Sequence, residues 1–318
     1  MENKNILIAG FGNIGTRYFQ GLLTSNRAIK IHIFENNFSK IKKYNFNKIG
    51  IRNKKKIFYH KNNENLPKLF FLSIIATTAD TRTSLIKSLS KKIKSKYWIL
   101  EKPLCQSLKD LNFLKNFFIK KKAWVNLNRS SNQFYLNLKK KIKKKKITNL
   151  LVTGYNWGIG CNGLHYAQLM SDFIESDIFN IKYVKFTRWY ETKRKNFWDV
   201  YGSIQFTINQ NFLCTLENKF SSKSKSSTKL IFFNDKLNFT VDETKRKLYE
   251  NNIIKKKNIS LPVVSKDINS YLESLIKRKT CSLPSVKNSI KLHQMLLDNM
   301  IKSWKKLKKN KNNKIPIS

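Results

Sequence analysis

The sequence predicts an α/β chain in two parts, a doubly wound parallel sheet followed by an α+β region with a large, mostly antiparallel sheet. Three observations predict it. The glycine-rich stretch Gly10-Phe11-Gly12-Asn13-Ile14-Gly15 directly follows the apolar run from Asn5 to Ala9. Through residue 125, short apolar runs alternate with segments of helical period, the pattern of a parallel sheet covered by helices. After Asn126, runs rich in Phe, Tyr, Ile, Val and Thr follow one another with few helices between them, which implies antiparallel pairing.

In chain order, the first strand runs from Asn5 to Ala9, and the helix from Asn13 to Leu23 places Ile14, Tyr18 and Leu22 on one side. Strands at Lys30–Phe34, Ile57–His60 and Leu69–Ala76 follow. A helix from Asp80 to Lys94 lines up Leu85, Ile86, Leu89 and Ile93. The strand Tyr97–Leu100 ends on Glu101-Lys102-Pro103, and Ser107 with Asp110 resembles a capping box for a helix reaching Lys120. Ala123–Leu127 completes the first domain, expected over residues 1–125. The second, expected over 126–306, opens with helices near Asn132–Lys146 and Asn162–Ile174. Strands at Ile181–Tyr190, Tyr201–Ile208, Phe212–Phe220, Lys229–Phe233 and Leu237–Val241 come next, then helices near Lys266–Arg278 and Val286–Lys306. Residues 307–318 form a basic tail, expected to fray and then lose order.

The 318 residues carry 64 Lys and Arg against 19 Asp and Glu, a formal net charge of +45. Only nine of those basic residues are Arg, and Asn, Ile and Phe also crowd the chain, so the excess reads as compositional drift over solvated faces. A nucleic-acid footprint requires clustered charge. The densest run, Lys139–Lys146, is the wet side of a helix whose other side carries Phe134, Leu138 and Ile142, without the interleaved aromatics that stack bases. Nucleic acid is therefore not the expected partner, and an RNA- or anion-binding protein is the least favoured reading. Cys105, Cys161, Cys214 and Cys281 lie far apart without a C-x-x-C, which fits a reducing compartment and no metal site. The first strand begins too early to leave room for a signal peptide, and no apolar run is long enough to span a bilayer, so a cytoplasmic protein is expected.

The chemistry centres on three places. In Gly10, Phe11, Gly12, Asn13, Ile14 and Gly15 the spacing is that of the Rossmann fingerprint, in which backbone N–H groups at a helix start hold a pyrophosphate. Glu35, twenty residues past Gly15, ends the second strand where a carboxylate accepts from ribose hydroxyls, which favours NAD. NADP stays open because Lys40, Lys42 and Lys43 are near in sequence. Lys102 ends a strand at the edge where such sheets bind ligands, and Pro103 biases it toward an extended backbone. His165 follows glycines at 158, 160 and 163 that thin out its surroundings, and histidine is the side chain best suited to move a proton near neutrality. His32, His60 and His293 lack such a setting.

Taken in order, these residues resemble the Gfo/Idh/MocA oxidoreductases, the family of glucose-fructose oxidoreductase and inositol dehydrogenase. Gly10–Gly15 is similar to its nucleotide loop, Ile74-Ile75-Ala76-Thr77 to its strand entering the cofactor site, and Glu101-Lys102-Pro103 to its E-K-P motif. Asn128-Arg129 resembles the stretch opening the second domain, and Ile315-Pro316-Ile317 the usual ending. The resemblance implies that Thr77, Thr78, Glu101 and Lys102 face the cofactor. It further implies that Lys102 holds the reacting oxygen and that His165 exchanges the proton while hydride moves between nicotinamide and a sugar or sugar-like acid. Arg129, Trp157, Asn162 and His165 are the expected substrate contacts, with Trp189 and Tyr190 behind them. The chain departs from the family at Cys161 and Gln168, where aspartates are common, and at Arg82, where a histidine is common. The Cys161-Asn162-x-x-His165 version resembles members associated with surface-sugar synthesis. A homo-oligomer formed through the second sheet is expected. The alternative reading is a nucleotide-binding or regulatory protein of the same fold with impaired catalysis.

Overall fold

In the computed structural model, which describes residues 4–37, 39, 41, 55–62, 64–309 and 311–318, the chain divides into two units. One comprises Met1–Cys105, Asn112–Asn126 and Pro262–Lys287, the other Gln106–Leu111, Leu127–Leu261 and Asn288–Ser318. The elements begin β1 (Lys4–Ala9), α1 (Asn13–Leu23), β2 (Ile29–Phe34), β3 (Lys55–His60), β4 (Leu69–Ile75), α2 (Ala79–Ser90), β5 (Lys94–Leu100), α3 (Leu108–Phe118) and β6 (Ala123–Val125). They continue with α4 (Gln133–Lys144), β7 (Asn149–Tyr155), α5 (Ile159–Ile174), β8 (Phe179–Glu191), β9 (Trp198–Ile208), β10 (Phe212–Lys219), β11 (Lys229–Phe233) and β12 (Asn238–Asp242). Last come β13 (Lys247–Glu250), β14 (Ile253–Lys256), α6 (Val264–Arg278) and α7 (Val286–Lys308).

The first sheet has the order β3-β2-β1-β4-β5-β6, every pair parallel. Chain direction across the sheet reverses beside β1, so the glycine loop that follows β1 lies at the switch point where doubly wound sheets bind ligands. Ile6, Ile8, Ile31, Ile33, Leu72, Ile74 and Ile99 fill the core beneath α1, as the unbroken apolar strands anticipated. The expected boundary after residue 125 is crossed by α6, whose Ile268, Tyr271, Leu272 and Leu275 join that core. Gly21 permits this packing, because a Cβ there would lie 2.3 Å from Ile268 Cγ2 and 2.4 Å from the Ser265 carbonyl. Across the same junction Asn269 Nδ2 donates to the Gly21 carbonyl at 2.8 Å, and Arg27 forks onto Glu273.

The second sheet runs β14-β13-β12-β11-β7-β10-β9-β8, antiparallel except between β7 and β10. The strand pattern had not marked β7, which follows the lysine run and ends at Gly154-Tyr155, yet it is the strand between β11 and β10. Phe206, Leu216, Phe232 and Val241 point inward beneath α5, where Phe173 stacks on Phe232 at 6.0 Å. Leu138 and Ile142 of α4 are buried as foreseen, leaving Lys139 and Lys143 to bond Glu175. At the start of α3 the Ser107 hydroxyl accepts the Asp110 N–H at 3.1 Å and donates to the Asp110 carboxylate at 2.7 Å, so the serine half of the anticipated capping box is in place.

The tail departs from expectation. Ile315 N–H donates to the Gln106 carbonyl, Gln106 Nε2 donates to the Ile317 carbonyl at 2.7 Å, and Trp198 N–H donates to the Pro316 carbonyl. Ile315 and Ile317 are buried, and two isoleucines supply about 3–6 kcal/mol of burial, enough to order a short lysine-flanked segment. Deleting Lys314–Ser318 is expected to lower the unfolding free energy by about 3 kcal/mol or more, measured by urea titration. An unchanged midpoint would mean that these contacts do not form.

Candidate active site

Around the glycine loop, each residue type answers a local demand. Gly10 has φ +96, and a Cβ on it would sit 2.8 Å from Thr77 N. A Cβ on Gly15 would reach within 2.0 Å of the Gly10 carbonyl, so helix and loop pack only if both are glycine. Gly12 differs, because a Cβ there would meet nothing within 4 Å. It opens α1, whose first turn has neither a side-chain cap nor an acidic residue, while Gly12, Asn13 and Ile14 are exposed. An uncapped helix start with its positive dipole end open is suited to a pyrophosphate. Phe11 contributes backbone only, since its ring is buried against Phe19 and its N–H donates to Glu35 Oε2 at 2.8 Å.

Glu35 is buried at the end of β2, and its other oxygen accepts the Asn37 N–H at 3.0 Å. The carboxylate is thereby held beside the loop. Lys40, Lys42 and Lys43 lie outside the described residues. Glu101 serves differently: it is buried, and its Oε1 accepts from Tyr18 at 2.7 Å and from Asn126 Nδ2 at 2.6 Å, tying α1 to the ends of β5 and β6. Burial, then the Glu101 charge, pushes the Tyr18 phenol well up, so it stays a donor. Lys102 follows half-buried, its peptide bond to Pro103 cis. Thr77 and Thr78 occupy the turn from β4 into α2, also half-buried. Sequence reasoning treated Arg82 only as a departure, yet it is fully buried and donates to the carbonyls of Thr77 and Pro103.

The second unit holds His165 buried on α5, one turn after Cys161 and Asn162. The helix start is capped by Asp199 of β9, whose Oδ1 accepts the Gly160 N–H at 2.7 Å and whose Oδ2 accepts the Cys161 N–H at 3.1 Å. This explains two of the glycines before His165: a Cβ on Gly158, at φ +77, would lie 2.3 Å from Asp199 Oδ2, and one on Gly160 3.2 Å from Oδ1. Asn162 spends its amide N–H on the Trp157 carbonyl at 2.6 Å. Trp157 itself is buried, with its indole N–H donated to the Glu217 carbonyl, so it supports α5 from the core. Trp189 is likewise buried and donates to Ser303, while Tyr190 stacks on Tyr201.

Arg129, an expected substrate contact, is instead matched internally. Its guanidinium forks onto Glu243 at 2.9 and 2.8 Å, lies 4.6 Å from the ring centre of Tyr166, and is joined there by hydroxyl donors from Tyr135 and Tyr166. Burial favours the neutral Glu243 carboxyl, but the Arg129 charge and these donors outweigh it and hold it below the usual range. A signal was available: with 19 acidic residues in 318, a carboxylate inside an apolar run, as in Trp198-Asp199-Val200, marks an internal anchor. Among the described residues no group of three or more His, Cys, Asp or Glu is arranged to hold a metal, and no helix is long and apolar enough to cross a membrane.

No family model and no curated protein matches the sequence. Solved structures do match. A dehydrogenase (MviM) from Clostridium difficile aligns over 95% of this chain and 100% of its own, with TM-score 0.66 and 15% identity. Scyllo-inositol dehydrogenase from Lactobacillus casei, solved with NAD(H) and scyllo-inositol, aligns over 93% and 95% with TM-score 0.66 and 10% identity. UDP-N-acetylglucosamine 3-dehydrogenase GnnA from Acidithiobacillus ferrooxidans aligns over 94% and 96% with TM-score 0.67 and 10% identity. The chain has the fold of the Gfo/Idh/MocA-type dehydrogenases. Gln168 is one of the positions at which the sequence departs from the pattern it resembles. Here it is buried, donating to Asp172 at 3.0 Å and accepting from Ser289 at 3.1 Å, so the substitution is built into the packing of α5.

Because the folded Glu243 carboxyl titrates below its ordinary value of 4.5, its stabilising share is full above that value and is lost as pH falls through the folded one. Glu243→Gln, which strands the Arg129 charge, is expected to cost about 3 kcal/mol at neutral pH, with a gap to the parent that narrows in acid. Urea unfolding at several pH values measures this, and a gap independent of pH would contradict it.

Proposed function

We propose that the chain is an NAD-dependent oxidoreductase acting on a hydroxyl or ketone of a sugar or sugar-like acid, with NADP as the alternative cofactor. The observation that carries the reading is the open helix start at Gly12, flanked by a loop whose other glycines are required for packing and by the anchored Glu35. Gly12–Ile14 would hold the pyrophosphate and Glu35 the ribose; the bound nicotinamide supplies hydride acceptance or donation. On this reading Lys102 binds and polarises the reacting oxygen, and His165 takes the hydroxyl proton on oxidation or returns it on reduction, a role typically contributing about 10²–10⁴ in rate. The neighbours that act on inositol and on a nucleotide sugar support a polyhydroxylated substrate, and the resemblance at Cys161–His165 supports a place in surface-carbohydrate synthesis. The departures at Cys161 and Gln168 from the family pattern the sequence resembles favour a second reading, since a chain that binds the cofactor without turnover would tolerate both.

Gly12→Ala is expected to leave the melting temperature unchanged and to weaken NADH binding at least about tenfold, followed by NADH fluorescence. Lys102→Ala and His165→Ala are expected to lower turnover about 10²-fold or more while NADH still binds. Full activity in both variants would sink the proposed mechanism, and binding without turnover across a panel of inositols, sugar acids and nucleotide sugars would favour the second reading.

We further propose that a second copy covers the open face of the second sheet. One row across that face runs Ile254, Tyr249, Thr240, Ile231, Leu151, Thr215, Gln205 and Tyr183, and its aliphatic and aromatic members all keep exposure that a partner would bury. Sedimentation equilibrium is expected to give a mass above the 37.5 kDa of one chain, reduced to it by Leu151→Asp. A monomer at micromolar concentration would refute this.

A further inference from the structure

Arg82 is the largest fully buried side chain of the described residues, 1% exposed at the first turn of α2. Such a cation is ordinarily retained only beside a carboxylate, because removing it from water costs several kcal/mol. Among the described residues its guanidinium makes no ion pair. Its Nη2 donates to the carbonyl of Thr77 and its Nη1 to the carbonyl of Pro103. Burial lowers its pKa to about 10, the Glu101 charge partly offsetting this, so it remains a cation at neutral pH.

The two carbonyls belong to separate segments. Thr77 leads out of β4, and its backbone nitrogen packs against Gly10. Pro103 immediately follows Lys102 beyond β5. A planar fork with two outward N–H groups can hold both carbonyls at a set separation, whereas an ammonium is a single point donor. We infer that Arg82 is a positioning residue, bracing the Lys102-Pro103 segment against the Thr77 turn and the glycine loop so that the Lys102 amine is held in one place. Its function in catalysis rests on the dehydrogenase reading, but the brace itself does not.

The test uses the full chain without cofactor. Limited acetylation followed by peptide mass spectrometry gives the relative reactivity of Lys102, with the exposed Lys94 and Lys109 as internal references. In Arg82→Lys, which keeps the charge and loses the fork, and in Arg82→Gln, which loses the charge, Lys102 labelling is expected to rise at least about threefold against both references. Thermal unfolding is expected to stay cooperative, and where turnover is measurable kcat is expected to fall about tenfold with KM for the cofactor little changed. Lys102 labelling at the parent rate in a folded variant overturns the inference. Loss of cooperative folding in both variants overturns it as well, since Arg82 is then a core-holding residue only. Absence of turnover in the parent bears on the dehydrogenase reading and leaves the labelling comparison intact.

Discussion

Buried carboxylates that must be given donors organise this molecule. In a chain with +45 net charge and few acids, Glu35, Glu101, Asp199 and Glu243 lie in the interior, and each draws donors from separate parts of the chain. A carboxylate without donors in a core is among the most costly groups a fold can contain, and one with charge-assisted donors contributes about 1.5–3 kcal/mol per bond. The positions of the glycine loop, the end of β5, the start of α5 and the opening of the second unit each follow from one such group.

The candidate site inherits that order. Glu35 holds the glycine loop through the Phe11 N–H, and Glu101 holds the strand end from which Lys102 extends, bridging Tyr18 and Asn126. Asp199 stands in for a local helix cap and shapes the glycine-rich approach to His165. Residues that bear on the proposed chemistry are thus one step removed from the groups that fix them. The lysines contribute little to this framework: Lys139 and Lys143 share Glu175 at the surface, and Lys121 answers the last carbonyls of α3 by donating to Phe117.

Much of the first unit was legible because its demands are local. Gly15 is required by the Gly10 carbonyl five residues before it, and unbroken apolar runs identify buried parallel strands whatever they pair with. Residues whose role depends on a distant partner were harder to read. Arg129 looked available to a substrate because Glu243, which neutralises it, lies 114 residues away. Trp157 looked like a site aromatic because the carbonyl that accepts its N–H is on β10, and the place of β7 in the sheet is set by β10 and β11, which come much later in the chain.

By itself the sequence determined a parallel nucleotide-type sheet with a glycine loop at its switch point, a lysine at a strand end, a histidine just after a glycine-rich helix start, and an antiparallel second sheet. These follow from periodicity, backbone freedom and strand-end position, which are properties of short segments. Only the tertiary structure decided that α6 packs with the first sheet, that the lysine-rich tail is pinned by Ile315 and Ile317, and that Arg82 braces two carbonyls. Each of these depends on satisfying buried apolar surface or buried polar groups with partners far away in sequence, and no local pattern records who those partners are.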